Sequence, residues 1–210
     1  MILYIVRHGK SIANQNRFVT GTTSDTLCDE GIRQAESMKI WFDNAQLKID
    51  RYITSHWKRA QRTSQILWPE ISWEIDPRIG ETNGGKASEM ILDDFLAQYE
   101  GFYLNPSNRY PDGESHIELN QRVINWLDDM LKTSHKNASI MLVTHSGPIT
   151  CILQHLFGIE MDRFPFFKPL HVSLTSVSIP DNIKSNAKLL TFSLCSTDVL
   201  KNAIQADVNP

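Results

Sequence analysis

Cysteine is scarce in this chain of 210 residues: Cys28, Cys151 and Cys195 are scattered, with no CxxC pair. An odd, dispersed set excludes a disulfide framework and a cysteine-built zinc site, and fits a reducing compartment. Long apolar runs are also missing. The opening stretch Met1–Val6 is cut short by Arg7 and lacks a basic leader or cleavage site, so it does not read as a signal peptide. No later stretch is apolar enough to span a bilayer, and the cytoplasm is the expected location. Nor is there a block of like charge. With a formal net charge of -3, neither nucleic acid nor an anionic membrane is an expected partner. There is no internal repeat and no low-complexity segment.

What is present suits one globular domain with a sizeable core, with 41% apolar and 21% charged residues. Met1–Val6 and Ser139–Thr144 read as buried strands, and Asp50–Thr54, Ile71–Ile75, Val172–Ile179 and Leu189–Cys195 as further strands. Helical spacing begins at Asp29, a candidate N-cap. It recurs over Trp57–Leu67, with Ser55 as the candidate cap, over Glu114–Leu131 with Ile117, Val123, Ile124 and Leu127 on its apolar side, and from Ile149 to Phe157. Strands alternating with helices predict an α/β fold, a three-layer α/β/α sandwich around a mainly parallel sheet. The segment from about 82 to 112 differs in character, with Gly84-Gly85, one helix near Ser88–Tyr99 and a Pro/Asn/Ser-rich stretch. It reads as a small inserted cap. The tail after Cys195 is polar, open either to disorder or to covering a neighbouring subunit.

In such sheets ligands bind beyond the carboxyl ends of the strands. The two strongest strands run into Arg7-His8-Gly9 and His145-Ser146-Gly147, which predicts that His8 and His145 meet at one sheet edge. Phosphoryl transfer needs a nucleophile, cationic donors around the phosphoryl oxygens and an acid for the leaving alkoxide. His8 supplies a nucleophilic imidazole and Arg7 planar donors matched to phosphate. Arg59 lies near a helix N-terminus, which itself favours an anion. His145 adds a donor. Glu81, at the start of the cap, is the candidate acid, with Glu89, Asp93 and Glu114 as nearby carboxylates. His56 is a candidate for the pocket rim.

Arg7-His8-Gly9-Lys10-Ser11 with Asn14 resembles the opening signature of the histidine phosphatase superfamily, the phosphoglycerate-mutase-like proteins. Gly21–Ala35, Ser55–Thr63 (SHWKRAQRT), Glu81, Tyr110–Ser115 (YPDGES) and Thr144–Gly147 (THSG) resemble its later blocks in the same order, across about residues 1–180. The resemblance implies phosphorylation of His8, with Arg7, Arg59 and His145 binding the phosphoryl oxygens. It also implies Glu81 as proton donor, and Asn14, Thr20, Gly21 and Ser146 in the substrate pocket. No metal and no cofactor is required on this reading. The partner is a small phosphorylated metabolite, and a homodimer is compatible.

The chain departs from the family at several points. Thr22 stands where many members carry tryptophan, and the stretch after Glu81 lacks their Gly-x-Trp-Glu-Gly run. Arg109–Ser115 is closer to the bisphosphatase branch, yet His116 replaces its tyrosine, and Ser146 and Thr150 replace its glutamine and arginine. Fructose 2,6-bisphosphate is therefore not the expected substrate. Because only Thr82–Gly113 separates Glu81 from Glu114, the cover is short and the site wet, which favours hydrolysis over mutase-type transfer. The remaining alternative is a phosphate-binding protein without turnover. In the cap, Lys86 and Arg109 are candidate anion contacts, and Phe95, Tyr99, Phe102 and Tyr103 are either pocket lining or cap core.

Overall fold

A computed structural model describes residues 1–180 and 187–196 of the chain. In chain order the elements are β1 (Ile2–Arg7), α1 (Ile12–Gln15), α2 (Asp29–Ala45), β2 (Arg51–Ser55), α3 (Lys58–Leu67) and β3 (Glu74–Asp76). They continue with α4 (Leu92–Gln98), α5 (His116–Thr133), β4 (Ser139–Thr144), α6 (Ser146–Phe157), β5 (Leu174–Ser178) and β6 (Lys188–Leu194). The six strands form one sheet in the order β3-β2-β4-β1-β5-β6. β1, β2, β3 and β4 run parallel, whereas β5 and β6 are antiparallel additions on one side.

Both faces of the sheet are covered, which explains why β1 and β4 read as nearly continuous apolar runs. Leu3, Ile5, Ile140 and Leu142 point to one face and pack against Leu119, Val123 and Trp126 of α5 and Ile152 and Leu153 of α6. Val6, Met141 and Val143 point to the other and meet Ala35, Met38 and Phe42 of α2 and Ala60 and Leu67 of α3. The period-2 alternation of the central strands thus builds two cores, and the fold is the expected three-layer α/β/α sandwich.

Several local expectations need correction. The N-cap of α2 is Cys28, so Asp29 and Glu30 lie in the first turn, where they favour the helix dipole. Ser55 accepts from the Trp57 N–H, but the cap position of α3 is Trp57. The third strand is shorter and later than Ile71–Ile75, and α6 already starts at Ser146. α5 begins after Ser115, which forms a capping box with Glu118. Its buried face carries His116, Leu119, Val123, Trp126, Leu127 and Met130, while Ile117 is exposed.

The cap segment gathers a core of its own from Ala87, Phe95, Phe102 and Tyr110, flanked by Val19, Met90, Tyr99 and Tyr103. Its α-helix is confined to Leu92–Gln98, after a 3-10 turn at Gly85–Ala87. Apart from Ser196, the tail beyond Cys195 lies outside the described residues.

Candidate active site

Parallel pairing of β1 with β4 places Arg7 opposite Thr144, and the His8 N–H bonds the Thr144 carbonyl at 2.9 Å. The two histidines that follow these strands are therefore neighbours, with ring centroids 4.9 Å apart. β5 runs the other way, so its beginning reaches the same edge, and Val172 and Ser173 bond the backbone of Arg7. This brings in His171, 5.5 Å from His8 ring to ring, whose Nδ1 donates to the His8 carbonyl at 3.1 Å. Three imidazoles thus meet where the sequence led us to expect two.

The loop after β1 is held against α2 and α3. A Cβ on Gly9 would lie 2.6 Å from the Gly31 carbonyl oxygen, and one on Gly31 only 2.0 Å from that of Lys10. The loop reaches this depth because both positions lack side chains. The Gly9 N–H donates to Thr63 Oγ1 at 3.0 Å, and that hydroxyl donates to the Arg59 carbonyl at 2.8 Å. Thr63 thereby ties the loop bearing His8 to the helix bearing Arg59.

The tautomer of His8 follows from its partners. Nδ1 lies 2.7 Å from the Gly9 carbonyl, which can only accept, so Nδ1 carries the proton. Nε2 is left with a lone pair, and the Arg59 Nε–H donates to it at 3.2 Å. Burial, followed by Arg59 and His145, lowers the His8 pKa well below the usual histidine value, so the ring is neutral at neutral pH.

Arg59 is buried, lies over the Trp57 ring at 4.4 Å and pairs with Asp25 at 2.9 Å. Arg7 donates to the Pro169 carbonyl at 2.7 Å, while its Nε is buried without a partner. Burial, opposed by Glu81 and reinforced by Arg59, lowers the Arg7 pKa to about 10. His145 meets the Ser55 hydroxyl through Nε2 at 2.8 Å, and its Nδ1 is likewise buried and unpartnered. Burial and Arg59 hold His145 neutral as well. Two guanidiniums with vacant donor capacity beside a bare imidazole nitrogen suit a tetrahedral oxyanion.

Glu81 sits across from this cluster. Its Oε1 accepts from the Thr82 N–H at 3.0 Å and its Oε2 from the Gly147 N–H, in the first turn of α6, at 3.4 Å. The competing carboxylates are placed differently. Glu114 is paired with Arg122, Asp93 bonds Arg17 on the surface, and Glu89 is exposed. Arg122 also donates to the carbonyls of Arg78, Gly80 and Glu81 at 2.7, 3.1 and 3.2 Å, fixing the strand of backbone that presents Glu81.

The other expected pocket residues are placed as follows. Asn14 forms a capping box with Ser11, which engages its Oδ1 and leaves the amide nitrogen as its donor. Thr20 donates to the Gly21 carbonyl, and a Cβ on Gly21 would lie 3.1 Å from Arg59 Nη1. Ser146 opens α6 beside His145. A cleft of about 390 Å³ adjoins the cluster at Glu81 and Gly21, lined also by His56, Trp57, Glu114 and Arg122. His56 does lie on its rim. Lys86 and Arg109 do not line it, being paired with Asp112 and Glu118 on the outside of the cap. The cap aromatics pack against one another as cap core.

Sequence reasoning missed Asp25, Thr63, Arg122 and the contact of His171. Asp25 and Thr63 fell inside recognised blocks but had no visible partner. Among the described residues no cluster of three or more His, Cys, Asp or Glu is arranged to hold a metal ion, and no helix is long and apolar enough to cross a membrane.

Residues 3–190 match the family model of the histidine phosphatase superfamily, branch 1. The probable phosphoglycerate mutase GpmB of Yersinia pestis strain Pestoides F is 30% identical over 164 residues, covering 75% of each chain. Its counterpart in Cronobacter sakazakii is 29% identical over the same length, again 75% of each chain. Among solved structures, the α-ribazole phosphatase of Shigella flexneri superposes with a TM-score of 0.81 at 21% identity, covering 94% of this chain and 99% of that one. A mycobacterial glucosyl-3-phosphoglycerate phosphatase gives 0.79 at 19%, covering 92% and 98%.

Proposed function

The chain belongs to the histidine phosphatase superfamily, and from that premise we propose that it hydrolyses a small phosphate monoester through a phosphohistidine at His8. One observation carries the reading: the Gly9 carbonyl fixes the proton on Nδ1 and leaves Nε2 of a buried, neutral imidazole facing Arg59. A nucleophile must have a lone pair where the electrophile arrives, and the arginines supply charge where the phosphoryl oxygens lie.

In the first step Nε2 forms a bond to phosphorus and the ester P–O bond breaks. Glu81 gives a proton to the departing alkoxide. In the second step the Glu81 carboxylate takes a proton from water, the water oxygen attacks phosphorus and the P–N bond breaks, releasing phosphate. Arg7, Arg59 and His145 hold the phosphoryl oxygens throughout, with Asn14, Thr20, Gly21 and Ser146 at the margins of the pocket.

Phosphate release from a panel of monoesters in the presence of EDTA, by wild type and by His8→Ala, tests the reading. Release by wild type alone, with an acid-labile, alkali-stable phosphoenzyme after rapid quench, is the expected result. Equal release by both proteins would remove His8 from the reaction. Phosphoglycerate mutase-type transfer is the second reading, since the sequence relatives are probable phosphoglycerate mutases. Isomerisation of 3-phosphoglycerate without net phosphate release would establish it instead.

A further inference from the structure

The cleft beyond the phosphoryl site is short of positive charge. Among the described residues, Arg122 is the one lysine or arginine lining it, and that guanidinium is already engaged by Glu114 and three backbone carbonyls. Lys86 and Arg109 are bonded to the carboxylates of Asp112 and Glu118 on the outer surface of the cap. His56 is held neutral, chiefly by burial and then by Arg122, and its Nδ1 is buried without a partner. Two carboxylates, Glu81 and Glu114, face the same space. Around them stand small neutral groups that donate and accept hydrogen bonds: Thr22, Thr23, Asn83 and Ser88. The cap's Phe95, Phe102 and Tyr110 are occupied with one another and leave Trp57 as the aromatic wall.

We infer that the alcohol portion of the substrate is uncharged and hydroxyl-bearing, as in a polyol or sugar monophosphate, and that the cleft discriminates against esters with a carboxylate or second phosphate there. A second anion there would find Arg122 already paired with Glu114 and no other cation among the described residues that line the cleft, so its desolvation would go uncompensated. Hydroxyl groups, by contrast, match the threonine, asparagine, serine and imidazole positions. The inference rests on the phosphohydrolase reading and narrows it.

Matched ester pairs provide the test. sn-Glycerol 3-phosphate and 3-phosphoglycerate differ by a hydroxymethyl group against a carboxylate, as do D-glucitol 6-phosphate and 6-phosphogluconate at the far end of the chain. Each is measured as a substrate and as a competitor of p-nitrophenyl phosphate hydrolysis. The neutral member of each pair is expected to lead by about tenfold or more in kcat/KM or in inhibition constant. Thr23→Lys and Asn83→Lys, at exposed positions on the rim, are each expected to narrow that ratio by improving the acidic member. Hydrolysis of p-nitrophenyl phosphate that depends on His8, together with equal or better use of the acidic members, would overturn this inference and leave the phosphohydrolase reading standing. Failure of every ester, p-nitrophenyl phosphate included, would overturn both.

Discussion

Arg59 and His8 are joined by a 3.2 Å hydrogen bond from guanidinium Nε to imidazole Nε2, and the same guanidinium is anchored through Nη1 by Asp25 at 2.9 Å. The bond occupies the one lone pair His8 has to offer, and it also aims a cation at the oxygens of any phosphoryl group that displaces it. Lysine retains the charge but neither the Nε donor nor the planar fork. Arg59→Lys should therefore lower kcat/KM by about a hundredfold or more, in line with the loss of one preorganised donor at a charge-developing oxygen. Steady-state kinetics on the best ester from the panel checks this, with circular dichroism confirming the fold.

Asp25 is the counterion of a guanidinium that is almost completely buried. Removing one partner of such a pair leaves the other charge uncompensated, at a cost of about 3–5 kcal/mol. Asp25→Asn is accordingly expected to reduce unfolding free energy by that order in urea titration. Bound phosphate or vanadate should recover part of the loss, because the anion restores a negative neighbour to Arg59.

The buried histidines give stability a defined pH dependence. Burial holds His8, His145 and His171 well below the ordinary value of 6.5, and brings His116, packed among Tyr103, Tyr110 and Phe164, to about 4. As pH falls below 6.5 the unfolded chain takes up protons that the native state refuses, so the native state loses stability progressively. For His116 this loss ends at about pH 4. His116→Phe, which keeps the ring and removes the titrating group, should flatten part of the decline in Tm between pH 6.5 and 4. A Tm profile parallel to wild type would exclude His116 as a contributor.

Much of this arrangement is legible in the sequence because it rests on parallel strands. β1 and β4 are the most apolar strands, each ends in a histidine-glycine turn, and parallel neighbours bring such turns together at one edge. His171 was not legible for the same reason. It precedes β5, and only the antiparallel entry of that strand, a long-range choice with no local signature, brings the strand's beginning to the carboxyl edge. Asp25 and Arg122 were hidden because their partners are distant in sequence: 34 residues separate Asp25 from Arg59, and 41 separate Arg122 from Glu81. Ile117 was misplaced on the core side because the capping box at Ser115 sets the phase of α5 so that His116 and Leu119 point inward. The cap's aromatic side chains were ambiguous by composition. Contacts among Phe95, Phe102 and Tyr110 decide that they form a core.

Gly147 offers the sharpest separation between folding and chemistry. A Cβ at this position would lie 2.3 Å from Glu81 Oε1 and 3.0 Å from Leu119 Cδ2. The backbone lies in the ordinary helical first turn of α6 and tolerates alanine, so the contact falls on the end of the Glu81 side chain, which can rotate away. Gly147→Ala is therefore expected to fold, with a modest fall in Tm from the Leu119 contact, while moving the proposed acid from its place. Loss of a positioned general acid costs about 10²–10⁴ in rate. That loss should appear in kcat, with KM for the ester little changed, because the arginines that hold the phosphoryl group are untouched. In kcat/KM, which reports formation of the phosphoenzyme and not its hydrolysis, the defect should also depend on the leaving group. p-Nitrophenolate departs without protonation, so its ester should lose far less kcat/KM than an alkyl phosphate does. An equal loss of kcat/KM on both esters would mean that the glycine serves the phosphoryl pocket and not the acid.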